Sequence, residues 1–404
     1  MSGQDAGKDD AQALKAELKA QERANRQAAN KAEREARREE NKAKRQAQRK
    51  PAAPARTEAP KPRVKRKPAA LPPPAIQTRP FNILLVGQNG AIGRQAAIFA
   101  ASLRRNSPQW QGRLIVAEPQ NDGAWSDAQV RMTQPTRDAL TAFGAEILPF
   151  TAQHFGRSYP YGNKIEALAV LPADEPFIFF DSDTLVTGPL ESLALDFARP
   201  SASMRRTGTW PQPPLYGPGF SGIWKSLYDR FGLDFASTLD PSQPDEHWEH
   251  YLYFNAGWFF GPDPAEFGRR FLAWARAVRD EPGDALACQS LDPWLDQVVL
   301  PLVIHSLGGG RPDAALDGLD GAVTCHYRNL PLMYARENEQ VLDTYEAVTR
   351  DPAIAPLMQG DEEFRRVVTE QGGRDVIRPM FEAEIDAMPE NLLRHRLRKE
   401  GWWF

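Results

Sequence analysis

Two carboxylates close an apolar run in Phe177-Ile178-Phe179-Phe180-Asp181-Ser182-Asp183. Negative charges that close repel each other unless a cation lies between them. A hard divalent ion takes oxygen ligands and keeps coordination positions for the oxygens of a diphosphate. If the run is a buried strand, side chains alternate between faces, so Asp181 and Asp183 point the same way. The carboxyl end of a strand is also where open α/β sheets receive ligands. The plainer alternative is a turn carrying two solvated aspartates.

Other residues could join such a site. From residue 81 onward the chain holds three lysines, Lys164, Lys225 and Lys399. Lys164 stands near a helix start and reads as a phosphate contact; otherwise it is a helix-surface lysine. Asn255 would hold a ligand hydroxyl or cap a turn. Arg205-Arg206 follow the acidic strand, either as a solvated pair or as a clasp over a diphosphate. Asp292 or Asp296 could serve as a carboxylate base near a bound acceptor. Gly87-x-x-Gly90-x-x-Gly93 supports a competing reading. It follows a strand and opens a helix, as dinucleotide-binding turns do, and Glu118 ends the next strand where a ribose-binding acid would sit. That reading, an NAD(P)-dependent enzyme, leaves the acidic pair idle. It also lacks a Tyr-x-x-x-Lys pair, since Tyr161 and Tyr159 stand three and five residues before Lys164. A third reading, a non-catalytic scaffold acting through its N-terminal tail, is opposed by the intact acidic pair.

The elements that would position these residues begin at Phe81. Residues 82–86, 114–116, 146–148 and 177–180 read as strands. Residues 94–105, 134–143 and 165–171 read as helices between them. Such alternation implies an α/β sheet with substantial parallel content. Beyond it, 201–250 shows little periodicity apart from a helix at about 222–231. Residues 251–261 look strand-like, helices follow at about 265–279 and 293–304, and 335–400 is mainly helical and charged.

The chain is two physical objects. Residues 1–80 hold 21 basic and 10 acidic side chains, out of 50 and 53 in all, so a basic tail precedes an acidic body. Residues 10–50 have high helix propensity but almost no apolar face, so they form a fraying helix or stay disordered. Residues 51–80 are a Pro-rich linker with the cluster Lys61, Arg63, Lys65, Arg66 and Lys67. Two cysteines are too few for a disulfide framework or a zinc cluster. No apolar run approaches the length of a membrane span, and no signal-peptide core opens the chain, so a cytoplasmic protein is expected.

Four motifs, in order, resemble one family. From Phe81 to Tyr334 the chain resembles a GT-A glycosyltransferase, nearest the family 8 type. Gly162-Asn163-Lys164-Ile165-Glu166-Ala167-Leu168 resembles that family's sugar-nucleotide helix, and Asp181-Ser182-Asp183 its metal motif. Tyr253-Phe254-Asn255-Ala256-Gly257 resembles the segment beside the donor sugar, and Asp296-Gln297 the pair near the reaction centre. The resemblance implies a Rossmann-like mixed sheet flanked by helices. It implies Mn2+ or Mg2+ at Asp181, Asp183 and a histidine, for which His326 fits best; His305, in an apolar helix, reads as a core residue. It implies donor contacts from Gly87, Asn163, Lys164 and Asp181, and catalytic roles for Asp181, Asp183, Asn255, Asp296 and Gln297. After His326 the family carries glycine and lysine. Here the sequence is Tyr327-Arg328-Asn329-Leu330-Pro331, and Arg328 would supply the missing cation. A nucleotide-sugar donor (UDP-sugar favoured), a glycan or lipid-linked acceptor and retention at the anomeric carbon follow as expectations; a nucleic-acid partner does not. The expected organisation is a tail over 1–80, a catalytic domain over 81–334 and a helical extension over 335–404.

That extension ends Asn391-Leu392-Leu393-Arg394-His395-Arg396-Leu397-Arg398-Lys399-Glu400-Gly401-Trp402-Trp403-Phe404. Basic and aromatic side chains of this kind either fold back onto the catalytic domain or rest peripherally on the inner face of a membrane.

Overall fold

The computed structural model describes residues 80–204, 209–381 and 388–404. The basic tail and Arg205-Arg206 lie outside the described residues.

β1 (Asn82–Val86), β2 (Leu114–Pro119), β3 (Ala145–Phe150) and β4 (Phe177–Phe180) are the strands the apolar runs predict. They join β6 (Ser201–Ala202) and β7 (Trp258–Gly261) in a six-stranded sheet of order β3-β2-β1-β4-β7-β6. The first four strands are mutually parallel, and β7 is antiparallel to both β4 and β6. A second, two-stranded sheet pairs β5 (Thr184–Val186) with β8 (Thr324–His326). The result is the expected mixed α/β sheet.

Near-continuous apolar strands need cover on both faces, and alternation sorts their side chains. Ile83, Leu85, Val116, Ile178 and Phe180 enter one core, while Leu84, Ile115, Phe177 and Phe179 enter the other. α1 (Ala91–Asn106) and α2 (Gln134–Ala142) supply the first core. α3 (Asn163–Glu166), α4 (Phe220–Arg230), α5 (Pro264–Asp280) and α6 (Leu295–Ser306) supply the second. There Phe179 stacks on Phe259 with ring centroids 4.8 Å apart, and Phe259 on Phe267 at 5.4 Å.

Downstream, α7 (Leu330–Arg336), α8 (Glu339–Thr349) and α9 (Glu390–Lys399) share the first core with the sheet. Leu393 and Leu397 of α9 are buried there. Trp402 and Trp403 are half-buried against the same core. Arg366 lies 4.8 Å over the Trp402 ring, and Arg394 and Arg398 lie 5.2 and 4.6 Å over Trp403. The leucines at 393 and 397 therefore face protein, leaving Leu392 and Phe404 exposed. Among the described residues, no helix is long and apolar enough to cross a membrane.

Two elements differ from expectation. The strand-like stretch 251–261 is strand only from Trp258; Tyr251, Leu252, Tyr253 and Phe254 are buried by packing without pairing in the sheet. The helix expected at 165–171 is the short α3 followed by one tight turn over Ala167–Val170.

Candidate active site

Between β1 and β4 the chain reverses its direction of travel across the sheet. It leaves β1 for β2 and β3 on one side, then returns to β4 on the other. Such a switch opens a crevice at the strands' carboxyl ends, where β4 delivers Asp181.

The acidic pair is not aligned by strand alternation. β4 stops at Phe180, residues 181–183 form a turn, and β5 starts at Thr184. Two backbone bonds hold that turn: Asp181 N donates to Gly257 O (2.8 Å) and Tyr327 N donates to Asp183 O (3.0 Å). Pairing of β5 with β8 sets Thr184 opposite His326, which carries the imidazole to the carboxylates. His326 Nε2 lies 3.1 Å from Asp183 Oδ1 and 3.9 Å from Asp181 Oδ2. One ligand atom from each of Asp181, Asp183 and His326 lies within 4.8 Å of the others. Gly257 makes room for the ring, since a Cβ there would come 2.3 Å from His326 Nδ1. That Nδ1 is buried without a hydrogen-bond partner among the described residues.

The two carboxyls sit in different fields. Burial raises Asp181, and the neighbouring Asp183 charge adds to it; Lys164 and His326 oppose, but the net shift is upward. Asp183 is also pushed up by burial, but His326, with help from its own backbone and from Lys164, holds it below its ordinary value.

Lys164 closes the floor. Its Nζ lies 2.8 Å from Asp181 Oδ1 and 3.1 Å from Asp296 Oδ2, and donates to Ala256 O at 3.4 Å. The side chain is buried, so this is no helix-surface lysine. Burial alone would lower the ammonium's pKa; the two carboxylates reverse that and raise it. Asp296, in the first turn of α6, is almost fully buried. Tyr159 OH donates to its Oδ1 (2.7 Å), and the Asp296 N–H donates back to the phenol oxygen (2.9 Å). Burial and the Asp296 charge raise the Tyr159 phenol well above its usual range, so it stays a donor. Tyr253 OH donates to Gln297 Oε1 (2.6 Å). Asn255 Oδ1 accepts from Gly257 N (2.7 Å), so the side chain does cap a turn.

Lys164, Asp181, Asp183, Asn255, Asp296, Gln297 and His326 all line one cavity of about 320 Å³. Tyr161, Trp294, Arg328 and Arg394 join them. Gly87 and Asn163 are not in its lining. Gly87 is fixed by packing, because a Cβ would meet Val116 at 2.5 Å and Met132 at 2.8 Å. Asn163 accepts from Trp125 Nε1 (3.0 Å) and donates to Gln88 Oε1 (3.2 Å), tying α3 to the loop after β1. His305 packs its ring against Tyr228, with centroids 5.7 Å apart. Glu118 does not face a ribose site. It is sealed at the end of β2, accepting from Met132 N (2.9 Å) and paired with Arg137.

Sequence reasoning missed Tyr159, Tyr161, Trp294 and Arg394. The tyrosines lie in a loop without periodicity. Arg394 lies far along the chain on a helix whose sequence suits either packing on the catalytic domain or contact with a membrane, and neither reading makes it a site residue.

Among solved structures, the chain is similar to the galactosyltransferase LgtC in complex with donor and acceptor sugar analogs. Identity is 14%, coverage 70% of this chain and 99% of that one, and the TM-score 0.40. It is also similar to the bifunctional glycosyltransferase WbbM (11% identity, 70% and 52% coverage, TM-score 0.39). A third is the glycosyltransferase GlyE of Streptococcus pneumoniae TIGR4 (14% identity, 58% and 46% coverage, TM-score 0.31). No curated protein matches the sequence. The Rhodobacterales glycosyltransferase domain matches residues 83–308, more than half of the chain and every cavity-lining residue except His326, Arg328 and Arg394, and the protein belongs to that family of glycosyltransferases.

Proposed function

We propose that this glycosyltransferase takes its sugar from a nucleotide-diphosphate donor, UDP-sugar by preference, through a divalent cation at Asp181, Asp183 and His326. Transfer goes with retention to a glycan or lipid-linked acceptor. The observation that carries the proposal is the convergence of two carboxylates and an imidazole at the sheet's switch point, on the wall of a cavity. The donor set suits the ion: carboxylate oxygens favour Mg2+ or Mn2+, and an imidazole nitrogen shifts the balance toward Mn2+. A bound cation supplies Lewis-acid stabilisation of the diphosphate that leaves.

The chain's own residues do the rest. Lys164 holds Asp181 and Asp296 at fixed positions and keeps a positive charge behind them. The Tyr253 bond orients the Gln297 amide so that its NH2 remains for a sugar oxygen. Asp296 has its two carboxylate oxygens engaged by an ammonium and a phenol, an arrangement that favours retention over base-assisted inversion.

A thermal-shift screen tests this, because a ligand that binds the folded state stabilises it by mass action. UDP-sugars should raise the melting temperature with Mn2+ present and fail to do so after EDTA. Stabilisation by NAD(P)H instead, or a UDP-sugar response indifferent to EDTA, would overturn the proposal.

A further inference from the structure

The cavity has a second charged wall that lies wholly outside the matched domain. Glu390, in the first turn of α9, sits among three arginines. Arg328 Nη1 lies 2.9 Å from its Oε2, Arg394 Nη2 lies 2.6 Å from its Oε1, and Arg336 pairs with it as well. Arg336 also pairs with Glu337 (2.8 Å). Within this cluster three positive charges meet two negative ones. Arg328 and Arg394 are the two of the three arginines that line the cavity.

Their placement is built. Arg328 sits at φ 66°, the left-handed region that costs a side-chain-bearing residue about 1–2 kcal/mol. It occupies the turn between β8 and α7, and its guanidinium is anchored by Glu390. Arg394 spends Nε and Nη2 on Glu390 and rests on the Trp403 ring. Among the described residues, its Nη1 makes no hydrogen bond. Glu390 thus aligns two guanidiniums in a cavity that Asp181, Asp183 and His326 also line. A guanidinium with donors to spare is a phosphate-binding group.

We propose that Arg394, set in place by Glu390 beside Arg328, binds the diphosphate of the donor in the cavity that the cation-binding residues also line. This rests on the nucleotide-diphosphate reading above. In this arrangement α9 is a wall of the donor pocket as well as a packing element, and Glu390 is a positioning residue.

The test is calorimetry of UDP and of uridine with Mn2+, on the full chain and on Arg394→Gln. A second variant, Arg394→Met, keeps an apolar stem over Trp403 and guards against a loss of folding. The expected result is a loss of UDP affinity of roughly tenfold, as for a lost charge-assisted contact. Uridine affinity should stay within about twofold and the ligand-free melting temperature near wild type. A purely structural role would weaken both ligands alike. Equal losses for UDP and uridine, or no loss for either variant, would overturn the proposal. A wild-type protein that fails to prefer UDP over uridine would sink the nucleotide-diphosphate reading itself, a different outcome from a variant that keeps the preference.

Discussion

Lys164 and Asp296, both buried, and the partly exposed Asp181 form a triad in which each charge depends on the others. Breaking a buried pair strands the partner's charge at a cost of about 3–5 kcal/mol, whereas an exposed pair contributes about 0–1 kcal/mol. Lys164→Met should therefore destabilise the ligand-free protein by about 3–5 kcal/mol, while Lys225→Met, at an exposed pair with Asp229, should change stability by less than about 1 kcal/mol. Urea titration of the two variants measures both; similar small values would show that the triad is not closed. Asp183→Ala should abolish transfer and leave the melting temperature intact, because it removes one of two like charges. A proton competes with a cation for a carboxylate, and Asp181 is raised. Mn2+ binding should accordingly begin to weaken, as pH falls, above the range of an ordinary aspartate; calorimetry across pH follows it. The residues of this triad were legible singly, from Lys164 near a helix start and an apolar strand ending in aspartates. Their mutual bonding was not, because Asp296 arrives from α6 and nothing in its neighbourhood encodes Tyr159 or Lys164 as partners.

At the scale of elements, legibility followed length and period. The apolar runs of β1 and β4 are read directly, and the glycine-marked turn after β1 announces α1. The β5–β8 pair is three residues a side, too short to carry a period. Yet that pair brings His326 to the acidic turn, so the imidazole's place came only from family resemblance. The segment before β7 misled because buried aromatics mimic a strand. In α9, Leu393 and Leu397 lie one turn apart, a pattern equally suited to core or lipid, and burial decides it. Leu397→Ala should cost about 2–5 kcal/mol, as for a leucine removed from a packed core; Leu392→Ala, half-exposed, should stay within about 0.5 kcal/mol. Chemical denaturation distinguishes them, and equal small effects would mean that α9 is not docked.

At the scale of the whole molecule, both cores, among the described residues, are built from residues at and beyond Phe81. A protein lacking residues 1–79 should keep its melting temperature within a few degrees and keep its response to UDP-sugar and Mn2+. Scanning calorimetry checks the first, and a large drop would show that the tail docks on the body. Removing the tail also takes away a strongly basic segment from an acidic body, so any salt-sensitive attraction to anionic surfaces should fall with it.

The triad has a practical consequence for covalent labelling. Amine-reactive reagents need an accessible, unprotonated amine. Of the three lysines beyond residue 80, Lys164 is covered and held protonated by its carboxylates, while Lys225 and Lys399 are exposed. Biotin or a surface-coupling linker aimed at lysines of the body therefore attaches at 225 and 399 and spares the pocket. An adduct found on Lys164 would mark molecules whose floor has come open, which makes this side chain a built-in footprinting reporter on the integrity of the site.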